Sequence, residues 1–250
     1  MTKYSSWNHY FRHNNWSVAD LCPAGPATLS AQERELIGAS LQQFQLGEGS
    51  DGLGLLRRAN EFSKRHNVDS LPEAMQRFVG EEQRHAAVLG LFLDRESIPR
   101  LQHHWVDHLF RRIRNLAGFE LMLTVLVTAE FIAIPYYTAI HDATKSECLR
   151  RIAKRILSDE AQHLEFQAEN LGLCAAGRGD LGRLGTIAFQ WVVLSLAAAL
   201  VYSMHKRLFE AAGFTPLRFW SMAFEAHKAV FQKLTRGAGP VAEPVEAYLR

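Results

Sequence analysis

Leu121-Met-Leu-Thr-Val-Leu-Val-Thr-Ala-Glu130-Phe-Ile-Ala-Ile134 decides how this chain is read. Fourteen residues hold a single ionisable group, Glu130, with apolar neighbours on every side. A charged carboxylate in such a setting costs several kcal/mol unless something compensates it. No lysine or arginine stands nearby on the same stretch to do so. The run is too long for one strand and has no turn residues inside it, so it reads as a buried helix.

Working outward, helical signals dominate and strand signals are nearly absent. Ser30-Ala-Gln-Glu33, Ser70-Leu-Pro-Glu73 and Thr144-Lys-Ser-Glu147 all have the capping-box pattern, and Thr215-Pro216 places a cap before a first-turn proline. The apolar spacing predicts helices over about 30–65, 72–96, 118–141, 145–172, 181–212 and 216–235. Between 100 and 117, Trp105, Val106, Leu109, Phe110, Ile113 and Leu116 form an amphipathic stripe suited to a crossover between the second and third helices. No repeat or linker divides the chain, so one all-α domain is expected over 1–250. Its bundle covers about 30–172 and its extra helices about 181–235.

Two Glu-x-x-His motifs stand on these helices, Glu82-Gln-Arg-His85 and Glu160-Ala-Gln-His163. Residues three apart share a helix face, so both side chains of each motif can reach one ion. With 11 histidines in the chain, about 0.8 copies arise by chance; placement gives the motif its weight. Phe78, Leu89 and Leu93 line up with the first, and Ile156, Leu157 and Leu164 with the second. Glu48 breaks the stripe of Leu41, Phe44 and Leu55 much as Glu130 breaks its own. Each half of the chain thus offers one bare glutamate and one Glu-x-x-His. Glu48, Glu82, His85, Glu130, Glu160 and His163 are the expected metal ligands. Four carboxylates with two imidazoles suit two ions such as iron, or manganese with iron, better than zinc or calcium.

This pattern resembles the ferritin-like di-iron carboxylate superfamily, over about 35–170. The resemblance implies a ferritin-like four-helix bundle with additional C-terminal helices. It also implies that Asp159 hydrogen-bonds a ligand histidine, and Arg84 with Glu81 is expected to form a supporting pair behind the ligands. The function implied is a dioxygen-activating oxidoreductase, an oxygenase or oxidase acting on a small, largely apolar organic molecule. It would draw electrons from an external donor, a redox partner protein, since no flavin or iron–sulfur motif is visible. The alternatives are a ferroxidase or peroxide-reducing protein of the bacterioferritin or rubrerythrin type, and a non-enzymatic helical interaction module.

Other features narrow the field. Net charge is +2 and the basic runs Arg111-Arg112-Ile113-Arg114 and Arg150-Arg151 recur at helical spacing, so nucleic acid is not an expected partner. Cys22, Cys148 and Cys174 are scattered without a Cys-x-x-Cys pair, which fits a reducing, cytoplasmic setting. Met1–Trp16 has no apolar core of a signal peptide. Ile187–Tyr202, the most apolar stretch, is short and carries Gln190 and Ser195, so a buried helix is expected rather than a membrane span, with a membrane-associated face as the alternative. A homodimer is compatible with this composition. Gly47, Gly49, Gly52 and Gly54 surround Glu48, pointing to close packing, a bulge or space beside the metals. Tyr137, two turns after Glu130, is expected as a core phenol, with a redox-active tyrosine as the alternative. The late histidines His205 and His227 are expected in the core or at the surface, with an added ligand left open. Glu165, Glu169, His103, His104 and His108 are expected at the surface.

Overall fold

The structure is a computed structural model describing residues 3–49, 52–103, 118–176 and 179–236. Among these residues every regular element is a helix. They are α1 (Lys3–His13), α2 (Val18–Leu21), α3 (Ala31–Glu48), α4 (Leu53–His66) and α5 (Leu71–Arg95), then α6 (Phe119–Ala143), α7 (Glu147–Ala175), α8 (Asp180–Met204), α9 (Lys206–Ala211) and α10 (Pro216–Arg236). The 104–117 crossover, with its stripe, its basic run, His104 and His108, lies outside the described residues. The chain forms two compact units, Met1–Met122 and Leu123–Arg250.

In the first unit α5 is the hub, with α1, α2, α3 and α4 all packed on it. Its inner face buries Met75, Phe78, Leu89, Phe92 and Leu93 almost completely. The expectation of one helix over 30–65 is corrected. The helix stops at Glu48 and restarts at Leu53. Gly52 makes the joint: its φ of +67° suits a residue without a side chain, and an added Cβ would lie 2.5 Å from Val79 Cγ1. Gly49 caps the end of α3 and Gly52 the start of α4, while Gly47 and Gly54 lie inside the two helices.

The unit also contains an N-terminal helix not expected from the sequence. Tyr4, Asn8 and Phe11 are its buried face, spaced at one helical stripe. Phe11 meets Phe78 edge-on at 6.4 Å, and Asn8 Nδ2 donates to the Ser70 carbonyl at 3.2 Å. Glu96, fully buried, accepts from the amides of Thr28 (2.6 Å) and Leu29 (3.1 Å), which fixes the chain entering α3.

The caps were partly legible. Ser30 and Glu33 exchange side-chain and backbone hydrogen bonds as a capping box does. Ser70 makes no side-chain cap, and Glu73 pairs with Arg77 instead, at 2.8 Å. At α7 the cap is Ser146, which accepts from Leu149 N, while Thr144 braces Ser146 N at 3.0 Å. Thr215 caps α10 as expected, accepting from Arg218 N at 3.2 Å.

In the second unit α10 packs on α7 and α8, and α9 on α8. Gln190 of α8 is buried and its Nε2 donates to the Thr124 carbonyl (3.1 Å) and Thr128 Oγ1 (2.8 Å) of α6. The expected helix over 181–212 is broken at His205, which ends α8 and begins α9. The expectation that Ile187–Tyr202 is buried is also corrected: Phe189, Trp191, Val192 and Leu196 are exposed. The helix is apolar around its circumference, and this unit covers only one side of it. By length and composition α6 and the Leu184–Met204 part of α8 are both apolar enough to cross a membrane. Tyr136 and Tyr137 are fully buried and meet edge-on at 5.1 Å, so Tyr137 is a core phenol. None of the three cysteines forms a disulfide.

Candidate metal centre

Within the first unit, Glu48 is the last residue of α3, and Glu82 and His85 lie one turn apart in the middle of α5. Each offers a ligand atom, and these atoms all lie within 4.8 Å of one another. Two donors on opposite sides of one ion, with bonds of about 2.1 Å, stand about 4 Å apart, so a small side-chain closure completes a site. Glu48 and Glu82 are half-buried and His85 is wholly buried. A cluster of acids at a water-exposed surface is common without a metal; two carboxylates beside a buried imidazole are costly without a cation. Glu48 adds to this, because a helix C-terminus already carries about half a negative charge. The three side chains form a possible carboxylate–histidine metal-binding group, and their donor set fits a hard or borderline divalent ion.

Behind His85 the N-terminal arm closes on α5. Trp16 stacks on the imidazole with ring centres 6.2 Å apart and planes at 15°. The Arg84 guanidinium lies over the same indole at 5.7 Å and pairs with Glu81 at 3.0 Å. Asn14 completes the ring: its side-chain amide donates to Glu81 Oε1 at 2.7 Å, and its carbonyl accepts from Arg84 at 2.9 Å. The Arg84–Glu81 pair expected from the sequence is present. Asn14 and Trp16 were missed; the signal was the Tyr4, Asn8, Phe11 stripe, which delivers them to this place.

The second unit carries a parallel arrangement. Glu160 and His163 sit one turn apart in α7, both buried, with Glu160 Oε2 3.6 Å from His163 Nδ1. Asp159, directly before Glu160, is fully buried and accepts from Arg155 Nε at 3.2 Å. The first motif is built alike, with the buried acid Glu81 before Glu82 and an arginine of the same helix on it. Glu130 of α6 is 3% exposed. Gln167, one turn beyond His163, donates from Nε2 to Glu130 Oε1 at 3.3 Å. Gln167 was not anticipated; it was legible as the next residue on the His163 face, where a buried amide needs a partner. Among the described residues, no group of three ligand-type side chains within 4.8 Å includes Glu130 or His163.

The late histidines are core residues. His205 is buried edge-on to Tyr136 at 5.8 Å. His227, 1% exposed, is boxed by Trp191 (4.5 Å), Phe231 (4.3 Å) and Phe131 (5.4 Å), and burial lowers its pKa to about 4. Glu165 and Glu169 are half-buried rather than fully solvated, and His103 is exposed.

No protein-family model matches the chain, and neither a curated protein nor a solved structure shows significant similarity to it.

Proposed function

We propose that this protein is a ferritin-like di-iron oxidoreductase in which Glu48, Glu82 and His85 share two metal ions with Glu130, Glu160 and His163. The observation that carries the reading is the first unit's group, two carboxylates and a buried imidazole with donor atoms within 4.8 Å. Its support is the repetition of the same device on α7: a Glu-x-x-His in mid-helix, preceded by a buried acid on an arginine of its own helix. Two such half-sites, each bringing one further glutamate, make the donor set that two oxygen- and imidazole-bound ions need.

When bound, a ferrous pair in such a set supplies electrons to dioxygen for oxidation of an organic molecule. The chain's own residues hold the charge and exclude water. Glu81–Arg84–Asn14 sets the face that α5 presents, and Gln167 orients the Glu130 carboxylate. The aromatic box around His227 keeps that flank apolar. The substrate proposed is small and largely apolar, and the electrons come from an external donor protein. The length of apolar helix beyond α7 favours this over an iron-handling role, since storage bundles need little beyond four helices.

Metal analysis of the purified protein tests the reading, with about two iron or manganese ions expected per chain. His85→Ala and Glu130→Ala should each lower that content sharply while leaving the helical circular dichroism in place. A chain that takes up no metal from ferrous or manganous salt sinks the proposal. Rapid repeated iron oxidation without any organic substrate would move the assignment to a ferroxidase.

A further inference from the structure

The most apolar helix of the second unit is also poorly covered. Of the most apolar 18 residues within Leu184–Met204 of α8, 28% are buried, against 78% of the most apolar 18 residues of α6. A helix on a water-facing surface carries charge on its outer side; α10 does so with Arg218, Glu225 and Lys228. α8 does not. On its exposed side Leu184, Ala188, Val192, Leu196 and Ala199 recur every three or four residues, with Phe189 and Trp191 beside them, and the other exposed positions are Gly182, Gly185 and Ser203. No aspartate, glutamate, lysine or arginine interrupts 184–205.

Charge returns at the C-terminal end of this stripe. Lys206 and Arg207 follow at once and are exposed. The start of α10 is tied to the same end by Tyr202, whose hydroxyl donates to the Phe214 carbonyl at 3.3 Å and whose ring meets Phe219 at 5.5 Å. That tie brings Leu217, 79% exposed, and Arg218 to the rim. Glu210 stands 3.5 Å from Lys206 and Asp142 3.7 Å from Arg218 in exposed pairs, and the Arg218 guanidinium lies over the Phe214 ring at 3.9 Å.

We infer that α8 is a membrane-docking helix that lies in the plane of an anionic lipid surface, its outer face in the acyl boundary and Lys206, Arg207 and Arg218 against the headgroups. The charge pattern chooses the occupant. An oily stripe more than four turns long with cations gathered at its end matches the layering of a lipid interface, apolar inside and anionic at the rim. A protein–protein interface carries about one hydrogen bond per 100–200 Å², whereas the exposed positions of α8 from Leu184 to Ala199 offer no hydrogen-bonding side chain apart from Trp191. The opposite side of the helix rules out full immersion in lipid, because Gln190, Leu194 and Ala198 are buried on it and Gln190 is hydrogen-bonded to α6. The inference is independent of the metal reading, and either one stands if the other fails.

Flotation of the full chain with vesicles tests it, using phosphatidylcholine alone and phosphatidylcholine mixed with phosphatidylglycerol. The chain should float with both and more strongly with the mixture. Val192→Asn with Leu196→Asn should weaken binding to both by roughly tenfold or more, with circular dichroism and metal content unchanged. Lys206→Gln with Arg207→Gln should weaken binding to the mixture alone, by roughly fivefold or more. A chain that stays with the lipid-free fraction overturns the inference, as does a glutamine pair that loses nothing on the mixture. Sedimentation separates the remaining alternative: a dimer that Val192→Asn with Leu196→Asn turns into monomer would show that a second copy covers the face.

Discussion

Asn14 donates to Glu81 over 2.7 Å, and that bond ties an arm at the start of the chain to the helix carrying Glu82 and His85. Glu81 is fully buried, and Asn14 and Arg84 both donate to its Oε1. Breaking a buried ion pair by removing one partner costs about 3–5 kcal/mol, whereas a single neutral hydrogen bond contributes about 1. Arg84→Met should therefore destabilise the metal-free protein by about 3 kcal/mol and Asn14→Ala by about 1 kcal/mol. Urea unfolding midpoints of the two variants check the ranking.

Gly52→Ala acts on the joint after Glu48. It forces a side chain into a left-handed conformation and against Val79, two penalties that sum to about 2–4 kcal/mol. The strain falls next to Glu48, so metal affinity should drop along with stability. Isothermal titration with manganous ion reads the first effect and thermal unfolding the second.

Gln167→Leu should cost about 1–3 kcal/mol, because Glu130 then loses a hydrogen bond inside an apolar helix. Glu130→Gln with Gln167→Leu removes the charge as well and should recover part of the loss. A double-mutant cycle in the metal-free protein measures the coupling. A coupling of zero would mean the 3.3 Å bond contributes nothing.

His227 predicts an acid-sensitive fold. Its folded pKa lies near 4, below the ordinary histidine value of about 6.5, because burial in its aromatic box disfavours the charged form. Between those values the unfolded chain takes up a proton that the folded chain refuses, so stability falls as pH drops from about 6.5 to 4. The full loss is on the order of 3 kcal/mol and levels off below pH about 4. Carboxylates add their own pH dependence, so the difference between the parent and His227→Phe isolates the effect. The variant should unfold over a flatter pH range and be the more stable of the two at pH about 4.5.

The motif residues and the helical class were legible because both rest on local spacing. Glu82 with His85, and Glu160 with His163, needed only the 3.6-residue period to be placed on one face. The Ser30 cap was legible for the same reason, since its two bonds close within four residues. Ser70 shows where such reading stops: Glu73 found Arg77 and Arg12 at 2.8 and 3.4 Å, partners that the capping pattern does not weigh. The Gly49–Gly52 region was seen as unusual, yet its reason lies in Val79, 27 residues away along the chain. For α8 the sequence favoured burial and left a membrane-associated face as the alternative. An apolar run states that water is disfavoured, and leaves open whether protein or something else replaces it.

The break that follows Glu48 gives the three first-unit side chains unequal stiffness. Glu82 and His85 are gripped by turns of helix on both sides, so their positions are dictated. Glu48 has a helix on one side only and a glycine joint on the other. An ion that swells or shrinks as it changes valence needs one corner of its cage to give way. In this chain the compliant corner of the first unit's group is Glu48, and for the redox-active pair proposed above that corner would take up the change in size.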